Sequence, residues 1–269
     1  MRTPPESRGS TEVTQTPWGT LHPMRISVEV IPRDVDALRE QLDAVTRLPT
    51  VDTVNVPDIH RFPLRSWSTC QAVAERGLRV VPHLRAIDVN PHAPLPFLDA
   101  LDAANVHEVL VVAGDAPADM SRPVYDTTSE ALVARIKRER PGTNVYVALD
   151  PYRQDFSSER AYLKRKIEAG ADGVFTQPFF DVRLAAVWSE LVRDVDVPIF
   201  WGATSVTSSR SARYWTRRNR AILPAAFEPT LEHSRAFARQ LADFARERGN
   251  HVYYMPIRVD IAAYLTGVV

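Results

Sequence analysis

The sequence predicts an α/β fold, specifically a single-domain (β/α)8 barrel (TIM barrel). Short runs of β-branched residues alternate with segments whose apolar residues recur at helical spacing, and this unit repeats about eight times. The length of 269 residues suits one barrel of roughly 250 residues plus a terminal segment. The alternative is a doubly wound open sheet. That fold usually has fewer strands and a glycine-rich first turn, where this chain has Pro32-Arg33-Asp34.

The predicted strands are short buried runs that stop at a proline, a glycine or a polar residue. The first is a β-branched run that ends at Pro32, and the sixth is an apolar run that delivers Gln177 where the strand stops. In chain order, the eight predicted strands cover residues 26–31, 51–56, 78–84, 108–112, 144–149, 173–176, 198–201 and 251–255.

The predicted helices lie between these strands and have an apolar stripe at a period of 3.6 residues. They cover residues 34–45, 66–75, 96–104, 128–138, 182–195, 208–217, 231–249 and 259–265. A further helix precedes the sixth strand. Ser157 is its predicted N-cap, and Glu159 is favourably placed in its first turn.

Composition restricts the domain organisation and the ligand class. Residues 1–24 are rich in Pro, Ser and Thr, which predicts a flexible N-terminal tail before a catalytic barrel at 25–269. The 33 basic and 33 acidic residues give no footprint for nucleic acid or an anionic membrane, so we expect a small-molecule ligand. No leader or long apolar run occurs, and the single cysteine, Cys70, cannot form an internal disulfide. We expect a cytoplasmic protein, and its oligomeric state stays open.

Polar residues at the carboxyl ends of the strands are the candidate site, because ligands of such barrels bind there. These positions are Glu29, Arg33, Asn55, Asp58, His83, Arg85, Asp115, Asp150, Gln177, Thr204 and Arg258. The seven histidines form no HxH or HExxH pair, so we predict no catalytic metal. The lysines, Lys137, Lys164 and Lys166, follow no predicted strand, which argues against a Schiff-base enzyme.

Several of these residues have two interpretations on sequence grounds. Glu29 is either a general acid with a raised pKa or one partner of an ion pair with Arg33 or Arg85. Asp115 either contacts a ligand or caps a turn, and His83 is more simply a satisfied histidine of the barrel interior.

Two further features also allow a structural or a functional interpretation. Phe179 and Phe180 are either core residues or a stacking platform for a ligand. The basic run at 163–166 is either a solvated helix face or a clamp for a cofactor phosphate.

Five motifs together resemble the methylenetetrahydrofolate reductase family along nearly all of the chain after the tail. They are SVEVIPR (27–33), PHLRAID (82–88), VVAGDAP (111–117), LKRKIEAGADGVFTQPFFD (163–181) and WGATSV (201–206), of which the fourth is the most specific. The resemblance implies a (β/α)8 barrel that reduces methylenetetrahydrofolate to methyltetrahydrofolate. It also implies NADH or NADPH as hydride source, with FAD as the usual carrier.

The resemblance also implies roles for residues on the folate side. Glu29 matches the acid that protonates a ring nitrogen of folate and opens the methylene bridge to an iminium. Asp115 matches the aspartate that stabilises this cation, and Gln177 matches the glutamine that hydrogen-bonds the pterin. Phe179 is placed with the substrate, and Arg258 is a candidate for the glutamate tail of folate.

On the cofactor side, the resemblance implies flavin contacts for a second set of residues. His83, Gly114, Arg165 and Lys166 match flavin-contacting positions, Glu159 matches an acidic residue near the cofactor ribose, and Asp150 is placed with them.

Three departures from the family pattern fall on this cofactor side. The chain has Ala113 where the family has Arg, Val56-Pro57 where it has Thr-Tyr, and Asp150-Pro151 where it has Tyr-Pro. Loss of one guanidinium from an anionic ligand can weaken binding by on the order of 2 to 3 kcal/mol. The sequence therefore predicts weak or absent FAD, with NADH or NADPH reducing the folate directly. The alternatives are a tetrahydrofolate-dependent methyltransferase or demethylase, and a non-catalytic folate-binding barrel.

Overall fold

A computed structural model describes residues 23–117 and 122–269 as a closed barrel of eight parallel strands. Each strand pairs with the next along the chain, and the last pairs back onto the first, which confirms the predicted (β/α)8 barrel. The strands are β1 (Ile26–Glu29), β2 (Thr53–Val56), β3 (Arg79–Arg85), β4 (Glu108–Val112), β5 (Asn144–Leu149), β6 (Gly173–Pro178), β7 (Ile199–Thr204) and β8 (His251–Met255). The predicted tail lies outside the described residues, apart from positions 23 and 24.

Helices fill the connections between these strands, and each prediction corresponds to a helix within a few residues. They are α1 (Val35–Thr46), α2 (Cys70–Ala74), α3 (Leu98–Ala103), α4 (Ser129–Glu139), α5 (Phe156–Glu168), α6 (Val182–Leu191), α7 (Ser209–Arg218), α8 (Leu231–Glu247) and α9 (Ile261–Leu265). The helix predicted at 66–75 is a 3₁₀ turn at Ser66–Thr69 that continues into α2.

The strands are buried on both faces, as parallel strands under helices must be. Alternate residues such as Val28, Val54 and Val109 belong to the outer core with the helices. The other set fills the barrel interior and comprises Val81, Leu110, Tyr146, Phe175, Phe200, Tyr253 and Met255. Phe175 and Phe200 stack at its centre, with ring centroids 4.0 Å apart. The middle of the barrel is therefore packed with side chains.

An ionic cluster lies at the end of the barrel where the strands begin. Arg25, which precedes β1, donates to Glu108 at 2.7 Å, to Thr53 at 2.8 Å and to Tyr146 at 3.1 Å. Arg25, Thr53 and Glu108 come from the first residues of strands or from positions next to them, and Tyr146, the third residue of β5, meets them from the barrel interior. The opposite end, where the strands stop, is the barrel mouth, and the candidate site residues lie there.

One helix start differs from its prediction. The N-cap of α5 is Asp155, whose carboxylate accepts a hydrogen bond from the Ser158 amide at 2.9 Å, and Ser157 already lies inside the helix. The Ser157 prediction was wrong because an aspartate two residues earlier offers a stronger acceptor to the free amides of the first turn.

An additional helix lies at the mouth between β7 and β8. Strand β7 ends at the mouth, and α8 must begin there because it leads back to the start of β8 at the opposite end. Residues 205–230, including α7, therefore lie entirely on the mouth side of the barrel. This segment packs through Trp215 on Phe180, with ring centroids 5.5 Å apart.

The cap assignment predicts different effects for two neighbouring substitutions. Asp155→Ala leaves an amide of the first turn of α5 without its acceptor and should lower the Tm by roughly 2–4 °C. Ser157→Ala is the matched control and should leave the Tm unchanged, since Ser157 is exposed and does not cap the helix. Thermal unfolding followed by circular dichroism measures both. An equal loss in the two variants would contradict the assignment of Asp155 as the cap.

Candidate active site

Glu29 is the last residue of β1, and its side chain points into the barrel mouth. Its carboxylate accepts a hydrogen bond from the Tyr253 hydroxyl on β8. Neither arginine proposed as an ion-pair partner reaches it. Arg33 is exposed on the surface, and Arg85 instead bonds the Asp115 carbonyl and pairs with Asp88 at 3.4 Å. Within residues 23–117 and 122–269, Glu29 forms no ion pair.

This environment changes the acidity of Glu29. Burial raises the pKa of its carboxyl from 4.5 to about 7, and the hydrogen bond from Tyr253 partly opposes that rise. A fraction of the side chain is nevertheless exposed at the mouth, so a ligand can reach it. A carboxyl that is buried, reachable and about half protonated near neutral pH is suited to donate a proton.

Tyr253 is a site residue that the strand-end analysis of the sequence missed. It lies in the middle of β8, and its ring is buried in the barrel interior with Phe175 and Phe200. Burial and the adjacent Glu29 carboxylate raise the pKa of Tyr253 well above its usual value, so it stays a hydrogen-bond donor. The alternation of HVYYM places residues 251, 253 and 255 on one face, which is the available sequence signal.

A second polar chain crosses the interior beside Glu29. The Asn55 amide nitrogen donates to the Ser27 hydroxyl, and the Asn55 carbonyl oxygen faces His83 Nε2 at 3.1 Å. With the amide oriented in this way, Nε2 carries the proton and Nδ1 is an acceptor. Burial lowers the pKa of His83 to about 3, so the imidazole is neutral at physiological pH. His83 therefore has a hydrogen-bond partner inside the barrel, and its contact with a flavin stays a prediction.

The loop after β4 forms another wall of the mouth. Gly114 has a φ of 85°, and a Cβ there would lie 3.0 Å from Ile87 Cγ1 and 3.1 Å from Arg85 Nε. Both the left-handed backbone and the close approach of Arg85 require glycine. The Asp115 side chain is exposed at the mouth, and its carbonyl accepts from Arg85.

A network of charged side chains lies beside the loop after β4. Arg65 donates to buried Asp58 at 2.8 Å and to Asp88 at 3.0 Å, and Asp88 also pairs with Arg85. Arg122 lies 3.9 Å from the second oxygen of Asp58. Arg85 is thereby held by the Asp88 carboxylate and the Asp115 carbonyl, and it forms no ion pair with Glu29.

The residues predicted to bind folate divide into two groups. Gln177 lies in β6, two positions after interior Phe175, and its side chain is exposed at the mouth. Arg258 is exposed in the loop after β8, with a φ of 58°. Phe179 does not reach the mouth. It is 0% exposed and packs on Trp201 in the outer core, so its placement with the substrate requires correction.

Glu159, predicted to lie near a cofactor ribose, is instead buried in the protein. Its carboxylate accepts from Arg153 at 2.7 Å, from Gln154 at 3.0 Å and from the Asp150 amide at 3.2 Å. Burial raises the pKa of Asp150, opposed by a hydrogen bond from the Tyr152 amide at 3.0 Å. These two carboxylates hold the loop after β5 in place.

The two cationic positions of α5 differ from each other. Lys166 is buried, donates to the Ala148 carbonyl and lies 4.1 Å from the centroid of the Tyr162 ring. Burial lowers the pKa of Lys166 to about 8. Arg165 is 57% exposed and pairs with Glu130 at 3.3 Å. Of the two, only Arg165 is open to a ligand.

Most of the residues predicted to contact a flavin have partners inside the protein, and Arg165 is the exposed one. Glu159 and Lys166 are satisfied inside the protein, His83 faces Asn55, and Gly114 packs against Arg85. A cofactor phosphate would have to displace these internal partners. The space that remains open beside α5 is a groove of about 520 Å³ lined by Arg153, Gln154, Ser158, Ala161, Tyr162 and Arg165.

The described part of the chain has neither a candidate metal cluster nor a candidate membrane span. No group of three or more His, Cys, Asp or Glu side chains there could hold a metal ion. Among the same residues, no helix is both long and apolar enough to cross a membrane.

The buried carboxyl predicts a pH dependence of stability. The folded protein keeps the Glu29 proton up to a pKa of about 7, against an ordinary value of 4.5, so the free energy of unfolding falls as pH rises between these values. Glu29→Gln should remove this part of the slope. The matched control, Glu40→Gln on the exposed face of α1, should keep it. Urea unfolding from pH 4.5 to pH 8 measures the slopes, and parallel slopes for wild type and Glu29→Gln would contradict the raised pKa.

Comparison with solved structures supports the fold alone. The chain is similar to dihydropteroate synthase from Xanthomonas albilineans, with a TM-score of 0.51, 17% identity, and coverage of 93% of this chain and 92% of that one. It is also similar to tryptophan synthase from M. tuberculosis, with a TM-score of 0.54, 15% identity, and coverage of 91% and 84%.

Comparison with curated proteins and family models is more specific. The chain is 24% identical to the 5,10-methylenetetrahydrofolate reductase of Escherichia coli over 60% of its own length and 56% of that protein. It is 28% identical to methylenetetrahydrofolate reductase 2 of Saccharomyces cerevisiae over 61% of its length and 29% of that protein. The match thus spans little more than half of the bacterial relative. The family model described as methylenetetrahydrofolate reductase matches residues 22–245, and the chain therefore belongs to the methylenetetrahydrofolate reductase family.

Proposed function

We propose that this protein reduces methylenetetrahydrofolate to methyltetrahydrofolate, with NADH or NADPH as the hydride donor and without tightly bound flavin. The observation that carries the proposal is Glu29, a carboxyl reachable at the mouth, with a pKa raised to about 7 and with Tyr253 as its hydrogen-bond partner. Membership of the family supplies the substrate class.

The reaction needs one proton and one hydride. Protonated Glu29 donates its proton to a nitrogen of the bridged ring of the folate, the bond from that nitrogen to the methylene carbon breaks, and an iminium forms at the other nitrogen. The hydride then adds to the iminium carbon and gives the methyl group, and NAD(P)H becomes NAD(P)⁺. Direct transfer requires the donor and acceptor carbons at about 3 to 3.5 Å.

The exposed polar residues of the mouth bind and stabilise the folate. Gln177 offers both an amide donor and a carbonyl acceptor, as the edge of a pterin requires. Asp115 supplies a carboxylate to stabilise the cationic iminium, and Arg258 pairs with the glutamate carboxylate. His83 is neutral and lines the barrel interior beside the reacting groups, so it adds no charge there.

The absence of tight flavin is supported by two sets of residues. The sequence has Ala113, Val56-Pro57 and Asp150 where the family pattern has flavin contacts. Glu159 and Lys166 make internal contacts instead of facing a ligand. A dinucleotide hydride donor uses the mouth between Gly114 and the α5 groove, where Arg165 stays open to a phosphate.

An anaerobic assay tests the proposed reaction. Protein of measured flavin content should oxidise NADH or NADPH in step with methylenetetrahydrofolate consumption, and added FAD should not change the rate. A rate that requires FAD, or strong flavin absorbance of the purified protein, would contradict the proposal that the reaction proceeds without tightly bound flavin. Methyl transfer that is indifferent to NADH would indicate a methyltransferase, and saturable folate binding without nicotinamide oxidation would indicate a binding protein.

Substitution of the proposed acid should separate catalysis from binding. Glu29→Gln should lower kcat by about 10²- to 10⁴-fold, the usual contribution of a positioned acid, and keep the affinity for folate. Fluorescence titration with folate supplies the affinity. An unchanged kcat would exclude Glu29 as the proton donor.

The pH profile tests the contact between Glu29 and Tyr253. Because the acid must be protonated, activity should be present below a pKa of about 7 and fall as pH rises through it. Tyr253→Phe removes the hydrogen bond that lowers this pKa, so the descending limb should move to higher pH. Tyr254→Phe is the control, since its hydroxyl faces the Ala238 carbonyl in the outer core. A limb that stays in place in Tyr253→Phe would contradict this role.

A further inference from the structure

A buried chain of hydrogen bonds lies beside Glu29, and the proposed reaction gives it no part in binding. The chain runs from Ser27 on β1 through Asn55 on β2 to His83 on β3. Ser27 and Asn55 are 0% exposed, and His83 is 7% exposed. In the barrel register Asn55 is the direct neighbour of Glu29, yet its amide bonds Ser27 and His83. Because an amide is costly to bury, these two hydrogen bonds determine its orientation.

The orientation of the Asn55 amide determines which nitrogen of His83 carries the proton. The amide nitrogen donates to the Ser27 hydroxyl, so the amide oxygen faces His83 Nε2 at 3.1 Å. This oxygen can only accept, and a neutral imidazole has a single N–H. Burial keeps the imidazole neutral, since it lowers the pKa of His83 to about 3. The proton is therefore on Nε2, and Nδ1 has a lone pair.

Nδ1 is the open end of this chain. It has no hydrogen-bond partner among the residues that the structure describes, and it is not one of their fully enclosed polar atoms without a partner. The backbone of His83 is held as well, because the Ser66 hydroxyl donates to its carbonyl at 2.6 Å. The lone pair of Nδ1 is thus presented to the mouth at a defined position.

The barrel interior therefore presents two opposite groups to a ligand. Glu29 on β1 supplies a proton, whereas His83 on β3 supplies a lone pair without charge. A cationic imidazole at this position would lower the pKa of Glu29, and a carboxylate would repel the ionised form of Glu29. A neutral imidazole avoids both effects. Nδ1 is thus suited to accept a hydrogen bond from a neutral N–H group of a ligand.

The chemistry of the two proposed substrates indicates which N–H group this is. The dihydronicotinamide ring of NADH or NADPH has one N–H donor group, the amide nitrogen of its carboxamide. The pterin has exposed Gln177 and Asp115 for its own edge. His83 lies on β3, beside the loop after β4 that contains Gly114, on the side of the mouth proposed for the hydride donor. The carboxamide is therefore the better match for Nδ1.

We propose that Asn55 is a positioning residue that fixes His83 with its Nδ1 lone pair toward the mouth, where it accepts a hydrogen bond from the carboxamide of the hydride donor. This inference rests on the proposed function. The carbon that gives up the hydride is bonded to the ring carbon that carries the carboxamide. Holding the carboxamide therefore sets the direction in which the hydride leaves, and correct orientation is a large part of catalysis between two bound substrates.

NMR tests the tautomer without turnover. In protein labelled with ¹⁵N-histidine, the ring-nitrogen resonances distinguish a proton on Nε2 from a proton on Nδ1, and His83→Gln assigns the signals. Wild type should have the proton on Nε2 at neutral pH. Asn55→Leu, which is apolar and of similar volume, should show a mixture of the two tautomers. A proton on Nδ1 in wild type would overturn the proposal, because no lone pair would then face the mouth.

A nucleotide analogue tests the hydrogen bond itself. The reduced 3-acetylpyridine analogue of NADH or NADPH has a methyl group in place of the amide nitrogen, so it cannot donate to Nδ1. In equilibrium titrations, wild type should bind the natural nucleotide about fivefold more tightly than the analogue, the usual net contribution of one neutral hydrogen bond. Asn55→Leu should lose most of this preference and keep the wild-type affinity for tetrahydrofolate. An undiminished preference in Asn55→Leu would contradict the role of Asn55.

A matched control separates positioning from loss of a buried hydrogen bond. The Thr127 hydroxyl is buried and donates to the Val89 carbonyl at 2.6 Å, and it does not touch the chain from Ser27 to His83. Thr127→Val should therefore keep both the wild-type tautomer and the wild-type nucleotide preference. If Asn55→Leu does not fold, the two measurements on wild type still decide, since either the wrong tautomer or equal affinities would overturn the proposal.

The outcomes distinguish this inference from the proposed reaction. Reduction of methylenetetrahydrofolate without a preference for the carboxamide would overturn the role of Asn55 and leave the reductase. A preference that depends on Asn55, without reduction, would refute the reductase and support the positioning role. If Asn55→Leu weakens tetrahydrofolate binding and keeps the nucleotide preference, His83 serves the pterin and the proposal fails. Absence of nucleotide binding would refute both.

Discussion

The site depends on one electrostatic constraint, namely that Glu29 is buried without a cation. Its only partner within the described residues is the neutral hydroxyl of Tyr253, so burial raises its pKa to about 7. An arginine at contact distance would reverse this, because an adjacent positive charge stabilises the carboxylate and lowers its pKa. Arg85 belongs to the same mouth, but Asp88 and the Asp115 carbonyl hold it. The network on the β2–β4 side therefore helps to leave Glu29 without a cation, although it does not touch that residue.

The need to compensate buried charges also explains why the residues proposed to bind folate differ in exposure from those predicted to bind a cofactor. On the folate side, Gln177, Asp115 and Arg258 are exposed and open to a ligand. On the cofactor side, Glu159 and Lys166 are buried and bonded within the protein. Buried charged groups must be compensated, and once the protein supplies the partner, the group is no longer open to a phosphate. An anionic group bound at Glu159 or Lys166 would have to replace these internal partners, whereas Arg165 stays exposed beside the α5 groove.

The strands and helices could be predicted from the sequence because they depend mainly on neighbouring residues. Short apolar runs, several of them rich in β-branched residues, predicted all eight strands and the strand-end position of Glu29. Tyr253 could not be found in this way, because its contact with Glu29 joins positions 224 residues apart and depends on closure of the barrel. Phe179 follows Gln177 closely, yet the chain turns it into the outer core against Trp201. The hydrogen bonds that satisfy the Glu159 carboxylate likewise depend on how the loop after β5 folds back. The amino-acid composition does not show that conformation.

The net charge of the whole chain did not reveal the local concentration of arginines in one segment. A formal charge of zero was the reason to expect no broad electrostatic footprint, and that expectation stays a prediction. The segment at 205–230 differs from that average because it holds five arginines and a single acidic residue, Glu228, and lies wholly at the mouth. A positive field there extends over about a Debye length, roughly 8 to 10 Å at physiological salt, and raises the local concentration of anions. Glu29 lies apart from these arginines and, within the described residues, forms no ion pair with any of them.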